Sequence, residues 1–270
     1  MKPPISLKKT RFQLHAGLGL VCGIWLFLNN NLRAQPAGTA NFLNQVKNYN
    51  LQSLWRAGSL RLLSLKQNEP FPEPYGTLGK NYQRFYIHYT SVTKNQANPY
   101  CYQVQGKTRV GNKVQPFTGT ITVTQAGLYK PGTAYTPETY KGYKRGQLIC
   151  NVSLTETGQT PGAETIKGVL TTNFCINAQN QLLYDTLDFG IDGYLNNYFT
   201  GTLTNSGKPA QKLNYGDFNL LGSVFSDVGG ITVPPEYEKY GWQSFVNAIP
   251  NDIKPAGKAA VAEEKRQWWR

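Results

Sequence analysis

Histidine is nearly absent from this 270-residue chain: there are two, and beyond residue 34 His88 stands alone. A Ser-His-Asp device needs a histidine base that a carboxylate orients. No Gly-x-Ser-x-Gly elbow accompanies His88, which reads instead as a strand residue on a polar or barrel-facing side. Cysteine is scarce as well, four residues with no Cys-x-x-Cys or Cys-His spacing. That excludes the usual zinc patterns, and neither a metal nor a cofactor is expected. Gly106-Lys107-Thr108 lacks the upstream glycine of a phosphate loop and sits in a strand-like run, so it is not one. Acidic residues are few, 15 against 28 basic ones. The longest apolar run, Ala16 to Leu28, is 13 residues, short of the about 20 that a membrane-spanning helix needs.

What is present at the amino end is the charged-then-apolar order of a secretory signal peptide. Lys2, Lys8, Lys9 and Arg11 precede the apolar run, and Ala34 supplies a small residue before Gln35. Residues 1–34 are therefore expected to be a cleaved signal, and the location periplasmic or secreted. Membrane attachment would come only through this segment left uncut. Cys22, preceded by Gly19-Leu20-Val21, reads as an ordinary apolar residue of the signal core. Five of the 28 basic residues and none of the acidic ones lie in the signal, so its removal lowers the formal charge from +13 to +8. The remaining charges are spread singly and solvate a surface, so no nucleic-acid partner is expected.

An exported chain with Cys101, Cys150 and Cys175 permits one disulfide. Cys150 in QLICNVSL and Cys175 in TTNFCIN lie on successive predicted strands and form the expected pair. The alternative is three reduced cysteines acting as small apolar residues.

Residues 35–80 read as a lead-in. Phe42, Val46, Leu51, Leu54 and Trp55 recur at helical spacing, so one or two short helices are predicted before the run from Glu69 to Gly76, where proline forbids helix. From Gln83 the period becomes two: Phe85, Ile87 and Tyr89 alternate with Tyr86, His88 and Thr90. Further strand-like runs occupy about 102–110, 114–129, 147–154, 166–176, 182–189, 198–204 and 210–215, with Gly111-Asn112 as a hairpin turn. The fold class predicted is mainly β, an antiparallel meander of about eight strands closed or nearly closed into a barrel of lipocalin-like shape, with short N-terminal and C-terminal helices. Residues 81–249 form this domain, and 250–270 are expected to be a disordered tail. Three pentamers, Phe117-Thr-Gly-Thr-Ile121, Ile166-Lys-Gly-Val-Leu170 and Phe199-Thr-Gly-Thr-Leu203, each place glycine inside a strand, which suggests strong coiling at one level. Residues 236–248 are predicted to form a short helix whose Tyr237, Tyr240 and Phe245 plug one end.

No catalytic residue is singled out. Asp185, Asp188 and Asp192 cluster in sequence, as do Asp217 and Asp227. On a strand Asp185 and Asp188 would face apart, so these carboxylates read as solvated or turn-capping groups. Ten aromatic residues (Tyr82, Tyr86, Tyr100, Tyr102, Tyr194, Tyr198, Tyr215, Tyr237, Tyr240 and Trp242) either fill the core or line a pocket for a lipid-like or sugar ligand.

Leu54-Trp55-Arg-Ala57, Gln83 to Tyr89, Val104 to Thr108, the FTGT segments, Asn214-Tyr-Gly-Asp217 and Tyr240-Gly-Trp242 resemble segments of uncharacterised exported proteins of Bacteroidetes. The resemblance implies an extracytoplasmic location and transfers no activity. The expected function is a non-enzymatic envelope module that binds a partner protein or a small apolar or sugar ligand. The alternatives are a carboxylate-dependent glycan hydrolase, which needs two carboxyl groups facing each other across a cleft, and a purely structural envelope protein.

Overall fold

The computed structural model describes residues 38–157, 164–220, 222–227, 230–250 and 254–270. The predicted signal peptide, with Cys22 and the cleavage site, lies outside these residues, as do Pro161 and Gly162 of the predicted turn 156–162.

The chain runs β1 (Thr39–Asn41), α1 (Leu43–Val46), α2 (Gln52–Trp55), β2 (Ser59–Leu62), β3 (Gln67–Pro70), β4 (Tyr75–Leu78), β5 (Gln83–Lys94), β6 (Cys101–Val110), β7 (Lys113–Tyr129), β8 (Lys144–Glu156), β9 (Thr165–Ile176), β10 (Leu182–Tyr184), β11 (Asn196–Thr204) and β12 (Gln211–Asp217). After a small ladder of β13 (Ser226–Asp227) and β14 (Gly230–Ile231) come helices α3 (Pro235–Tyr237), α4 (Gln243–Ala248) and α5 (Lys258–Glu264). Strands β4 to β9, β11 and β12 form an antiparallel meander, and β12 pairs back onto β4, closing an eight-stranded barrel. Closure removes the unpaired edges that an open sheet would present.

The barrel matches the predicted fold class, but two strands of the sheet differ from the reading by period. The closing strand β4 falls in the supposed lead-in. Of the run 182–189 only Leu182–Tyr184 is strand, and it pairs with the far end of β9 rather than entering the ring. The chain then turns, since Asp185 and Thr186 side chains bond to Leu187 and to Leu63.

Alternation decides which side chains fill the interior. Phe85, Ile87 and Tyr89 of β5, Tyr102 and Val104 of β6, and Leu148, Cys150, Val152 and Leu154 of β8 are all buried in one cluster. One end of the barrel is stopped by the lead-in. Phe42, Val46, Leu51, Leu54 and Trp55 belong to the same cluster, Trp55 meets the Tyr102 ring edge-on at 5.0 Å, and its Nε1 donates to Thr172 Oγ1 at 2.9 Å. The predicted plug therefore comes from the amino side. The C-terminal helices pack outside, where Trp242 and Phe245 join Phe225 in a second cluster, and the predicted helix 236–248 is broken at Gly241 (φ 91°), whose backbone lies against Arg84. Trp55→Ala is expected to destabilise the protein by about 3–5 kcal/mol, measured by chemical denaturation; a loss below about 1 kcal/mol would mean that the plug is not part of the core.

The strand glycines mark close approaches of neighbouring chain. Gly168 and Gly201 sit directly opposite each other on β9 and β11, while Gly119 on β7 faces Leu154 and lies two residues off that level. So two of the three pentamers share a level, not all three.

Cys150 and Cys175 are not a disulfide pair; both are free thiols, as is Cys101. Cys150 pairs across the ladder with Leu170 and faces the core, whereas Cys175 lies five residues further along β9. An odd offset puts it on the opposite face of the sheet.

The tail is ordered from Lys254 onward, contrary to the expectation of disorder. Arg84 Nη2 reaches Glu264 Oε2 at 3.1 Å and Arg109 Nη1 reaches Glu263 Oε1 at 2.8 Å. Trp268 packs edge-on to Tyr86. Composition suggested a solvated tail because the acids that neutralise the two arginines, and the tryptophans that cover Tyr86 and His88, look unpaired until the barrel wall is built.

Candidate functional site

The most chemically loaded region is a slot in the barrel wall. Strand β4 joins β5 only from Gln83 to Phe85 and β12 only from Leu213 to Gly216. It cannot extend further back, because Pro70, Pro72 and Pro74 carry no amide to donate to a ladder. Beyond Phe85 on β5 and Gly216 on β12, from Ile87–Tyr89 across to Asp217, no strand intervenes, and a cavity of about 930 Å³ opens there. The β5 edge left bare is partly capped by Arg56, whose Nε donates to the Tyr89 carbonyl at 3.1 Å.

At the floor of the slot lies Asp217, 1 % exposed. Leu213, Tyr215 and Asp217 alternate along β12, so the carboxyl points the same way as the core residues before it. Its Oδ2 accepts from Tyr184 Oη at 2.8 Å and from Asn197 Nδ2 at 2.8 Å. Asn197 also donates to the Leu54 carbonyl and accepts from Thr172, which in turn accepts from Trp55. The plug and the slot floor are thus one hydrogen-bonded unit. Asn197 sits in a bulge of β11 with φ 45°, a conformation that Asn tolerates better than other non-glycine residues, and Phe218, next to Asp217, has φ 72°. Just inside, the hydroxyls of Tyr89 and Tyr215 meet at 2.8 Å.

Electrostatics makes Asp217 an unusual carboxyl. Burial pushes its pKa up to about 7, against the pull of the Tyr184 and Asn197 hydrogen bonds, and the nearby Glu73 adds to the rise. Around neutral pH a large fraction is the neutral acid, able to donate a hydrogen bond as well as accept one. Glu73, on the proline-rich rim, is also raised by burial, against its bond to His88. The walls are aromatic: Phe71, Tyr75, Tyr86, His88, Trp268 and Trp269 line the slot. His88 is on the outer face of β5, shares a hydrogen bond with Glu73 Oε1 at 2.8 Å and is stacked on Trp269 at 3.9 Å.

The C-terminal strap forms one wall. Arg84 lies over the Trp242 and Tyr86 rings, and Arg109 lies 3.9 Å from the Tyr86 centroid. Glu263 is held low, at about 2, first by its bond to Arg266 and then by Arg109. Glu264→Ala is expected to loosen the strap, shifting tryptophan emission to longer wavelength and lowering stability by about 1–3 kcal/mol; unchanged emission would show that the strap is held otherwise.

Other residues singled out from sequence lie elsewhere. Asp185 and Asp188 do come together, because the chain turns after Tyr184, but as joint partners of Arg145 at 2.7 and 2.6 Å. Asp192 is exposed in a turn, and the Asp227 side chain lies outside the described residues. Of the ten aromatics, Tyr86 and Tyr215 line the slot, Tyr102 is core, and Tyr82, Tyr237 and Trp242 pack in the outer cluster. Asp217 contradicts its reading as a solvated carboxylate. Sequence offered a signal for it, the continuation of the Leu213, Tyr215 alternation by one more step. Among the described residues no group of three His, Cys, Asp or Glu could hold a metal, and no helix is long and apolar enough to cross a membrane. No family model, no curated protein and no solved structure matches the chain.

Proposed function

We propose that this protein is an exported, non-enzymatic binding module that takes a small hydroxylated ligand, a sugar in the first instance, in the side slot. One observation carries the reading: Asp217, whose Oδ2 alone is bonded by Tyr184 and Asn197, presents its carboxyl at the floor of a cavity walled by aromatic rings. Sugars offer hydroxyls that both donate and accept and C–H faces that lie against aromatic rings. A neutral acid held in place by the Asn197 carboxamide matches the first and the Phe71, Tyr86 and Trp269 rings match the second. An extracytoplasmic location, proposed from the signal-like amino end, would place the module where envelope sugars are found.

The test is a titration of the protein with neutral mono- and disaccharides, followed by tryptophan fluorescence, because Trp55, Trp268 and Trp269 all line the slot. Saturable binding that weakens about tenfold or more in Asn197→Ala and Asp217→Ala is the expected result. Binding that those variants leave unchanged, or none with any sugar, would overturn it. One observation favours a second reading, glycan hydrolysis: Glu73 and Asp217 line the same slot, and the charge of Glu73 raises the proton affinity of Asp217. Turnover of a chromogenic glycoside that vanishes in Asp217→Asn would establish it in place of pure binding.

A further inference from the structure

The barrel end opposite the plug carries a second cavity, of about 1070 Å³, separate from the slot. Alternation along β8 directs Glu156 into it from below, one step beyond the core residues Val152 and Leu154. Glu156 is 4 % exposed. Thr108 Oγ1 donates to its Oε1 at 2.5 Å, but Oε2 is buried with no hydrogen-bond partner. A buried carboxylate oxygen without a donor is costly, and a ligand that brings a donor would relieve the cost.

The charged groups around Glu156 narrow the ligand. Glu164, just before β9 and across from the end of β8, lies beside it, and burial together with Glu164 pushes Glu156 up to about 7. Glu164 Oε1 accepts from Asn205 Nδ2 at 3.0 Å and lies 3.8 Å from Lys113 Nζ. Lys80, Lys208 and Lys212 line the rest of the same cavity. Acids are therefore gathered at the β8–β9 side, and lysines at the β4–β12 side. A bare divalent cation would find two carboxylates with a lysine beside them, a poor cage. A primary ammonium, with three donors, fits the orphan oxygen and its neighbour, and an anionic group on the same molecule fits the lysines.

We propose that the barrel mouth is a site for a zwitterionic amine, an amino acid or the free amino end of a short peptide. Its ammonium takes the place of the Glu156 proton and donates to the unpartnered Oε2, and its carboxylate meets the lysine rim. Binding then releases a proton below neutral pH and tightens as pH rises through about 7, where Glu156 ionises, until the peptide amine begins to lose its own proton near pH 8.

The probes are triglycine and N-acetyltriglycine, titrated calorimetrically into the full-length protein at pH 6 and pH 8 in two buffers of different protonation enthalpy. Triglycine is expected to bind about fourfold more tightly at pH 8 than at pH 6, the ionisation of Glu156 outweighing the partial loss of the amine's charge, with proton release at pH 6. The acetylated form is expected to bind at least about tenfold more weakly. Glu156→Gln should abolish both the pH dependence and the preference, while Asp217→Asn, at the other site, should change neither. Equal binding of the two peptides, no binding of either at millimolar concentration, or a Glu156→Gln protein that binds as before would overturn the proposal. The wild-type pH profile needs no variant, so the test stands even if Glu156→Gln fails to fold.

Discussion

Asp217→Asn is expected to raise stability above neutral pH by about 4 kcal/mol and to leave it almost unchanged near pH 4. The folded protein binds the Asp217 proton more tightly than the unfolded chain does, with a pKa of about 7 against an ordinary 3.8. Stability contributed by that proton is complete below about pH 4 and is lost as pH rises through 7, at about 1.4 kcal/mol for each unit between the two values. Asparagine has the shape of the protonated acid. Its oxygen can still accept from Tyr184 and Asn197, which both bond the single Oδ2 atom, and it never ionises. Glu156 at the barrel mouth contributes a dependence of the same sign, so the single variant flattens the pH profile only in part, and Asp217→Asn with Glu156→Gln flattens it further. Thermal melts of both proteins from pH 4 to pH 9 measure this. Wild type and Asp217→Asn melting in parallel across that range would show that the carboxyl is not held neutral.

A second large effect is expected at the level where β9 meets β11. A Cβ on Gly201 would lie 2.3 Å from the Lys167 carbonyl oxygen, 2.5 Å from the Phe199 ring and 2.8 Å from the Gly168 Cα. Alanine in a strand ordinarily gains about 0.5–1 kcal/mol over glycine, but here two of the three obstacles are backbone and cannot rotate aside. Overpacking wins, and Gly201→Ala is expected to cost about 3 kcal/mol, with a loss of cooperative closure if the two strands separate. Gly58→Ala is the control, because nothing lies within 4 Å of the point where its Cβ would stand; it should be neutral within about 0.5 kcal/mol. Urea midpoints of the two variants decide the matter: a Gly201→Ala protein as stable as the control would mean that the two strands do not approach so closely there.

Much of the barrel was legible because its strands are half-buried and long. The alternation Phe85, Ile87, Tyr89 needs nothing but period two, and the same holds from Leu148 to Leu154. What escaped was written in short or interrupted segments. Strand β4 has four residues behind three prolines, so composition marked it as a boundary although its backbone completes the ring. The run after Tyr184 has strand-like composition, but Asp185 accepts from the Leu187 amide and turns the chain. The cysteine pairing failed for a reason that only register supplies, since an offset of five residues separates the two faces. The strap is not legible in sequence because its partners, Arg84 and Arg109, lie on the outer face of strands about 150 residues or more earlier.

Asp217 lies one alternation beyond Tyr215, within reach of period two, but an aspartate next to Gly216 looks like a turn residue. What sequence could not supply is the gap beside it, which depends on the prolines before β4 meeting the ends of β5 and β12 in space. Asn197 carries a weaker signal still, because its role rests on a bulge that moves it from the ladder to the slot floor.

The measurement that bears most directly on this picture is the pH titration of the Asp217 carboxyl carbon by NMR in uniformly labelled protein, assigned by its disappearance in Asp217→Asn. A midpoint near 7, moving when a slot-filling sugar is added, is the result predicted for a neutral acid at the floor of an open site. A midpoint near the ordinary 3.8, unmoved by any ligand, would contradict it.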